Sequence, residues 1–195
     1  MKLESSRAVG VDICVPATLL GQEGQRTLKL DERITQMFDE LREPVYRYLI
    51  CLSTSPIEAD EIIQETFIRL YRHLNAGGRE DNLRGWVFRV AHNMSINEIK
   101  RRKRFVSIVP EESSELDLSA ADPKPGPEEL MLRRERMSRV HAAISSLSEQ
   151  QKHCLYLRAE GFRYREIAEI LEVTISTVAE LLRRAIKKLI KESHE

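Results

Sequence analysis

The sequence contains few of the residues that build cross-linked, metal-bound or membrane-embedded proteins. It has three cysteines, one tryptophan and 6% aromatic residues in 195 positions. Cys14, Cys51 and Cys154 are odd in number and far apart, which favours neither a disulfide framework nor a zinc site and fits a reducing cytosol. No apolar run approaches the ~18 residues that a membrane helix needs. We therefore expect a cytoplasmic protein without stable membrane insertion.

Net charge is also absent, because 31 basic residues balance 31 acidic ones. The distribution of charge is more informative than its sum. Residues 89–104 carry six basic side chains and only one acidic one, Glu98, whereas residues 111–129 carry seven acidic side chains and only one basic one, Lys124. Such asymmetry is typical of a basic nucleic-acid surface next to an acidic tether.

The chain divides into four segments by periodicity and composition. Residues 1–30 lack a sustained period and are predicted to form a flexible extension. Residues 31–105 and 127–195 show helical periodicity, and they are separated by an acidic, proline-rich linker at 106–126. The sequence thus predicts an all-α fold with two small helical domains joined by a flexible linker.

Helix start signals are clear in the first predicted domain. An amphipathic helix begins near Asp31, and Pro44 either kinks or divides it. Ser55, Pro56 and Glu58 combine an N-cap, a first-position proline and a capping box, so a second helix follows. A loop spans residues 75–82, and a third helix begins near Leu83.

The second predicted domain ends in a helix-turn-helix pattern. Ser148 opens a helix with a Ser-x-x-Gln capping box, and Gly161 ends it. Residues 164–171 form a short helix, a turn follows at 172–173, and Thr174 caps a longer helix that reaches about Lys191. Taken alone, this pattern also fits an ordinary helical hairpin.

Three stretches together resemble the extracytoplasmic-function sigma factors of bacterial RNA polymerase. Residues 59–72 resemble the family's region 2.2, residues 84–93 resemble the junction of regions 2.3 and 2.4, and residues 147–189 resemble region 4. They occur in the family's order and with a linker of suitable length between them. The resemblance implies a helical protein that binds core polymerase and directs it to promoters.

The resemblance also implies roles for particular residues. Region 2.2 would bind the clamp helices of the largest polymerase subunit, regions 2.3 and 2.4 would open and read the minus-ten element, and region 4 would read the minus-thirty-five element and touch the flap of the second-largest subunit. The loop 75–85 would hold a flipped base. Trp86 follows an inward period, which favours a core role. The implied polymerase-binding residues are Asp60, Gln64, Glu65 and Arg69; the minus-ten residues are Arg89, His92, Asn93, Asn97, Lys100 and Arg101; the minus-thirty-five residues are Thr174, Thr177, Glu180, Arg183, Arg184 and Lys187.

Two departures from the family pattern fall in region 4. Ala179, Glu180 and Leu181 stand where the family commonly has a basic residue, a serine and an arginine. A carboxylate near phosphates is repulsive, although it can accept a hydrogen bond from cytosine. Arg163 replaces the usual capping serine, so the first helix of the motif is expected to begin less firmly.

Two other classes of function compete with a promoter-directing factor. A sigma-like interaction protein would keep the fold to sequester an anti-sigma factor without driving transcription. An enzyme is disfavoured because no phosphate loop, metal cluster or nucleophile pattern is present, and His92 has no companion metal ligands at suitable spacing. We therefore expect no cofactor, and we expect an anti-sigma factor as a regulatory partner.

Overall fold

A computed structural model describes residues 22–105 and 142–194 of the chain. Within these ranges no residue lies in a strand, so the predicted all-α fold is confirmed. The predicted linker at 106–126 and residues 1–21 of the predicted extension lie outside the described residues. The complete helices are α1 (Gln22–Cys51), α2 (Pro56–Asn75), α3 (Leu83–Phe105), α4 (Glu149–Ala159), α5 (Tyr164–Leu171) and α6 (Ile175–His194).

The first helix begins earlier than the sequence predicts. Residues 22–30, assigned to the flexible extension, form the first turns of α1, so that assignment was wrong. Leu30 and Ile34 pack against the core and continue the apolar period of the helix toward its N-terminus. Pro44 neither divides the helix nor ends it, because α1 runs through it to Cys51.

The second helix begins where the sequence predicts, through a complete capping box. The Ser55 hydroxyl accepts a hydrogen bond from the Glu58 backbone N–H at 3.4 Å, and the Glu58 carboxylate accepts one from the Ser55 backbone N–H at 3.1 Å. This exchange satisfies two backbone donors that a helix otherwise leaves without partners. It fixes the angle at which α2 leaves α1 and packs its buried face on α1 and α3.

The third helix is capped by a residue of the preceding loop. Asn82 has a positive φ of 50°, and its side-chain oxygen accepts a hydrogen bond from the Gly85 backbone N–H at 3.1 Å. Asparagine tolerates this left-handed backbone better than most residues do. The cap confirms the predicted start near Leu83 and aims α3 across the domain.

The helices of the helix-turn-helix begin where the sequence predicts, and α6 runs to His194, three residues past the predicted end. Ser148 and Gln151 form the predicted capping box of α4, and Gly161 follows the helix with a φ of 88°. Arg163 gives α5 no side-chain cap, but the Glu166 carboxylate accepts from the Arg163 backbone N–H at 2.8 Å. Half of the capping box therefore survives the loss of the family's serine.

The two halves of the chain, α1–α3 and α4–α6, pack against each other. Helix α1 contacts α4 and helix α3 contacts α5, and the buried residues of both halves form one continuous hydrophobic cluster. Phe88 of α3 meets Phe162 of the α4–α5 turn edge to face, with ring centroids 4.9 Å apart. The sequence predicted two helical units but gave no sign of this contact.

The capping box at Ser55 yields a stability prediction. Ser55→Ala removes the acceptor of the Glu58 backbone N–H, so the free energy of unfolding should fall by ~1 kcal/mol. Ser55→Thr keeps a hydroxyl at the same position and should lose much less. Urea unfolding followed by circular dichroism measures both variants. Equal stability of the alanine variant and the unmodified chain would contradict the assigned role of this cap.

Candidate nucleic-acid interface

A stripe of polar side chains follows one side of α3. Arg89, Asn93, Asn97 and Arg101 recur every four residues, so successive members lie about one helical turn apart. Arg89, Asn97 and Arg101 are exposed, whereas Asn93 is half-buried. We call these four residues the α3 stripe. It alternates cations with amides that can both donate to and accept from a base edge.

The basic end of α3 is partly tied to its neighbours. Arg101 bonds Glu98 of its own helix at 2.7 Å. Arg102 reaches back to the start of α2, where its guanidinium lies 3.5 Å from the Glu58 carboxylate. Lys100 and two further cations, Lys103 and Arg104, have exposed side chains. This end of the helix therefore presents positive charge to solvent, as phosphate contacts require.

The α3 stripe is interrupted by the second half of the chain. The Asn93 side-chain amide donates to the carboxylate of Glu172, in the turn of the helix-turn-helix, at 2.9 Å. Glu172 adopts a left-handed backbone with a φ of 55°, which ends α5. The predicted base-reading amide is thus bonded within the chain in this arrangement.

Two more polar contacts join α3 to the second half. The Arg84 guanidinium donates to the Glu160 backbone carbonyl at 2.8 Å and lies 3.3 Å from its carboxylate. It also lies over the Phe162 ring, 4.6 Å from the centroid, in cation–π geometry. The Asn82 side chain, next to the start of α3, donates to Glu166 at 3.1 Å.

His92 does not lie on the exposed face of α3. The sequence places it beside Asn93 as a DNA-contacting residue, but its side chain is only 8% exposed. The ring accepts or donates one hydrogen bond, with Tyr48 of α1, at 2.9 Å. A contact between His92 and DNA stays a prediction, because the ring is buried in this arrangement.

The loop before α3 is built around a histidine–tryptophan stack. Trp86 packs against the core, as its inward period predicts, and stacks on His73 with ring centroids 5.2 Å apart. His73 also bonds the Arg79 backbone carbonyl at 3.0 Å, which closes the loop onto the end of α2. Gly78 packs so closely on the His73 ring that an added Cβ would lie 2.3 Å from it. The loop is therefore fixed to the same scaffold as the α3 stripe.

The start of α6 is held by a threonine cap. The Thr174 hydroxyl accepts from the Thr177 backbone N–H at 3.2 Å and lies 2.8 Å from the Thr177 hydroxyl. This confirms the predicted N-cap and brings two hydroxyls to the exposed tip of the second motif helix. Lys187, three turns further along, is exposed as well.

Glu180 is clamped between two arginines on α6. The Arg183 guanidinium bonds both of its carboxylate oxygens at 2.8 Å, and Arg184 bonds one of them at 2.6 Å. Hydrogen bonds from Arg183 and then Arg184 lower the pKa of the Glu180 carboxyl to about 2. Glu180 thus stays ionised and occupies the two cations that the sequence assigns to DNA. Sequence spacing allowed this clamp, because positions three and four apart face each other on a helix.

The polar residues predicted for polymerase binding lie on the outward side of α2. Gln64 and Arg69 are exposed, and Asp60 and Glu65 are half-buried. Asp60 bonds Arg42 of α1 at 3.2 Å, and Glu65 bonds Arg69 at 2.7 Å. These pairs fix side-chain positions but are worth little stability at such exposure.

Two isoleucines on the same side of α2 escaped the sequence analysis. Ile57 is 75% exposed and Ile68 is 45% exposed. They are eleven residues apart, about three helical turns, and both point away from the buried face. Their signal in the sequence is that they fall out of phase with Ile62, Ile63 and Phe67. Single exposed apolar side chains are common on protein surfaces, so exposure alone assigns these two no partner.

The described ranges contain neither a metal-binding cluster nor a membrane-spanning helix. No group of three or more His, Cys, Asp or Glu residues in residues 22–105 and 142–194 is placed to hold a metal ion. None of the helices in these ranges is long and apolar enough to cross a membrane.

Family models match most of both described ranges. The model of sigma-70 region 2 matches residues 37–105, and the model of sigma-70 region 4 matches residues 137–189. The first covers α2 and α3 with the second half of α1, and the second covers the helix-turn-helix. The α3 stripe and Glu180 therefore fall inside the matched segments.

Curated relatives are similar over most of the chain. The RNA polymerase sigma-H factor of Pseudomonas aeruginosa is 31% identical over 149 residues, which cover 70% of this chain and 77% of that protein. The ECF RNA polymerase sigma factor SigE of Mycolicibacterium smegmatis is 29% identical over 161 residues. The match covers 82% of this chain but only 59% of SigE.

Solved structures share the fold at low sequence identity. The sigma factor RpoE of Bartonella quintana, solved in complex with the anti-sigma factor NepR, has a TM-score of 0.60 and 20% identity, over 83% of this chain and 96% of that one. CnrH, solved with the cytosolic domain of CnrY, has a TM-score of 0.54 and 17% identity, over 83% and 87%. With both region models matched and close relatives named alike, the chain belongs to the sigma-70 family of RNA polymerase sigma factors, among its extracytoplasmic-function members.

Proposed function

We propose that the chain binds core RNA polymerase and directs it to specific promoters for transcription initiation. The observation that carries the proposal is the α3 stripe, which places two amides between two arginines on a helix that ends in exposed cations. Amides suit base edges and cations suit phosphates, so one helix supplies both kinds of DNA contact. The helix-turn-helix of the second half supplies a second DNA-reading element in the same chain.

The minus-ten element is the target of the first half. Asn93 and Asn97 read exposed bases, while Arg89, Lys100 and Arg101 bind phosphates and hold the strand in place. The loop at 75–85, anchored on His73, receives a base that has left the stack. His92 joins this surface only after the halves separate.

The minus-thirty-five element is the target of α6. Thr174 and Thr177 sit at its tip, where a recognition helix enters the major groove, and Arg183, Arg184 and Lys187 follow along its exposed length. Glu180 lies among these cations and moderates their charge. It is also the one carboxylate of the group and can accept a hydrogen bond from cytosine, so it contributes to the base preference.

Polymerase binding uses α2 and the second half. Asp60, Gln64, Glu65 and Arg69 bind the clamp helices of the largest subunit, and Ile57 and Ile68 supply apolar contact on the same side. The helix-turn-helix half binds the flap of the second-largest subunit. Charged side chains around a small apolar centre are a common composition for protein interfaces.

A sigma-like interaction protein is the second candidate. The observation in its favour is the bond between Asn93 and Glu172, which leaves the central amide of the stripe unable to reach DNA in this arrangement. RpoE was solved with an anti-sigma factor bound. By analogy, an anti-sigma factor is a partner of this chain under either candidate function, and in the second one it is the principal partner.

The remaining parts of the proposal concern chemistry and location. The chain acts as a non-catalytic factor in the cytoplasm and needs no cofactor. Its work is binding and positioning, because base separation needs stacking and hydrogen-bonding groups rather than a nucleophile. A gel shift of promoter DNA by reconstituted holoenzyme, with promoters found by sequencing transcripts made in vitro, separates the two candidates. A decoy gives neither a shift nor transcripts.

Asn93→Ala tests the minus-ten assignment. The variant should bind core polymerase as the unmodified chain does. The free energy of promoter opening should become ~1–3 kcal/mol less favourable, and the base preference at one minus-ten position should relax. Permanganate reactivity of promoter thymines measures opening. Gln150→Ala, an exposed amide truncation on α4, is the matched control and should behave as the unmodified chain. Unchanged reactivity and unchanged base preference in Asn93→Ala would remove Asn93 from the mechanism.

Glu180→Gln tests the clamp on α6. Removing the carboxylate charge releases Arg183 and Arg184 to phosphates, so affinity for minus-thirty-five DNA should rise. The plot of log K against log salt should steepen by about 1 to 2. Glu40→Gln makes the same charge change on α1 and should leave the slope unchanged. Fluorescence anisotropy across a salt series measures both, and an unaltered slope in Glu180→Gln would show that the arginines do not reach DNA.

A further inference from the structure

A pair of buried histidines lies at the contact between the two halves. His92 of α3 and His153 of α4 are 8% and 7% exposed, and their ring centroids are 5.7 Å apart. Tyr48 of α1 lies against both rings, with centroid distances of 6.0 and 6.5 Å. Each half of the chain therefore contributes one titratable ring to the same buried cluster.

The surroundings of the pair favour uncharged rings. His153 Nε2 is buried and has no hydrogen-bond partner, since the nearest carboxylate oxygen, that of Glu149, is 4.0 Å away. The His92 Nδ1 atom faces the Tyr48 hydroxyl, whose own pKa is raised by burial, so the hydroxyl keeps its proton and can donate it to a neutral ring. A proton added to either ring would place a charge inside the contact, where water cannot solvate it. That costs free energy unless the contact opens.

Charged neighbours do not reverse this preference. Burial and, to a lesser extent, the charge of His153 lower the pKa of His92 to about 4, although Glu172 of the α5–α6 turn opposes both effects. Burial is also the main cause that lowers the pKa of His153 to about 4. On the same helix, Glu149 raises this pKa and Lys152 lowers it. The thiols and phenols at the contact have raised pKa values: Tyr48, Cys51, Cys154 and Tyr156. Charged groups also face it, since the Glu160 carboxylate lies 3.3 Å from the Arg84 guanidinium and 3.9 Å from that of Arg47. Glu166 bonds Asn82 at its edge.

The same contact includes Asn93, one of the two amides of the α3 stripe. Asn93 follows His92 directly in the chain, and its amide is bonded to Glu172 of the other half. Arg84 and Phe88 of α3 also bind the second half, through Glu160 and Phe162. Because these contacts share one interface, separating the histidines also releases Asn93.

We propose that the contact between the halves is a proton-sensitive lock, which stays closed while His92 and His153 are neutral and opens when they take up protons. Opening frees Asn93 from Glu172, and the consequence for promoter opening rests on the function proposed above. The lock itself depends only on the contact between the two halves. It makes the accessibility of the α3 stripe a function of pH.

The direction of the effect follows from the pKa values. In the closed state both rings have a pKa of about 4, whereas a solvated imidazole has the ordinary value of 6.5. Above pH 6.5 neither state binds these protons, so the closed state keeps its full advantage. Between pH 6.5 and 4 the open state binds more protons, and falling pH favours opening. From pH 7.5 to 5.5 the opening equilibrium shifts by about tenfold for each ring that becomes solvated, or ~100-fold for the pair.

Energy transfer between dyes on the two halves of the full chain tests the lock. Bioorthogonal labels at the exposed positions 72 and 169 report separation without polymerase or DNA. Transfer should fall as the pH drops from 7.5 to 5.5. The double variant His92→Gln/His153→Gln cannot take up these protons and should lose the response, whereas His73→Gln, in the last turn of α2 and outside the buried pair, should keep it. Unchanged transfer in the unmodified chain, or an unchanged response in the double variant, overturns the proposal.

Proton NMR of the histidine rings keeps the test independent of the variants. In the unmodified chain two rings should titrate well below 6.5, and titration of all rings near 6.5 overturns the proposal even if the double variant fails to fold. These measurements separate the lock from the proposed function. The absence of a promoter gel shift and of transcripts with reconstituted holoenzyme would defeat the function and leave the lock standing, and a pH-independent dye distance would do the reverse.

Discussion

The burial of Tyr48 is the constraint on which the arrangement of the helices depends. Its side chain is completely buried and touches rings from both halves: Phe88 at 5.6 Å, Tyr156 at 5.4 Å and the two histidines. A buried phenol needs a partner for its hydroxyl, and His92 supplies it. The position of α3 relative to α1, and of α4 relative to both, follows from packing around this one residue. The α3 stripe and its bond to Glu172 in the α5–α6 turn depend on this packing as well.

Local signals in the sequence predicted the helices well, because caps are read within a few residues. Ser55, Ser148 and Thr174 each begin a helix with a side chain whose partner is three residues away. The start of α1 was missed because residues 24–30 are mostly exposed, and their helix continues from the buried face further along. Nothing local marks such a continuation.

The candidate site was predictable where its members share one helix. The four-residue spacing of the α3 stripe and the outward side of α2 both follow from helical geometry. The bond from Asn93 to Glu172 joins residues 79 positions apart, and His92 is buried by tertiary packing. No period in the sequence encodes either feature. The meaning of Glu180 was also open, because a carboxylate among cations looks repulsive toward DNA until its two arginines are seen to bond it.

The continuous hydrophobic cluster gives the contact between the halves a thermal character. Separating Phe88 from Phe162 and Tyr48 from Tyr156 exposes aromatic and aliphatic surface to water, which raises the heat capacity of the open state. Hydrophobic attraction of this kind weakens on cooling, whereas the hydrogen bonds of Asn93 and Arg84 do not depend on it. A drop in temperature therefore loosens the apolar part of the contact and leaves its polar part to hold the two halves together.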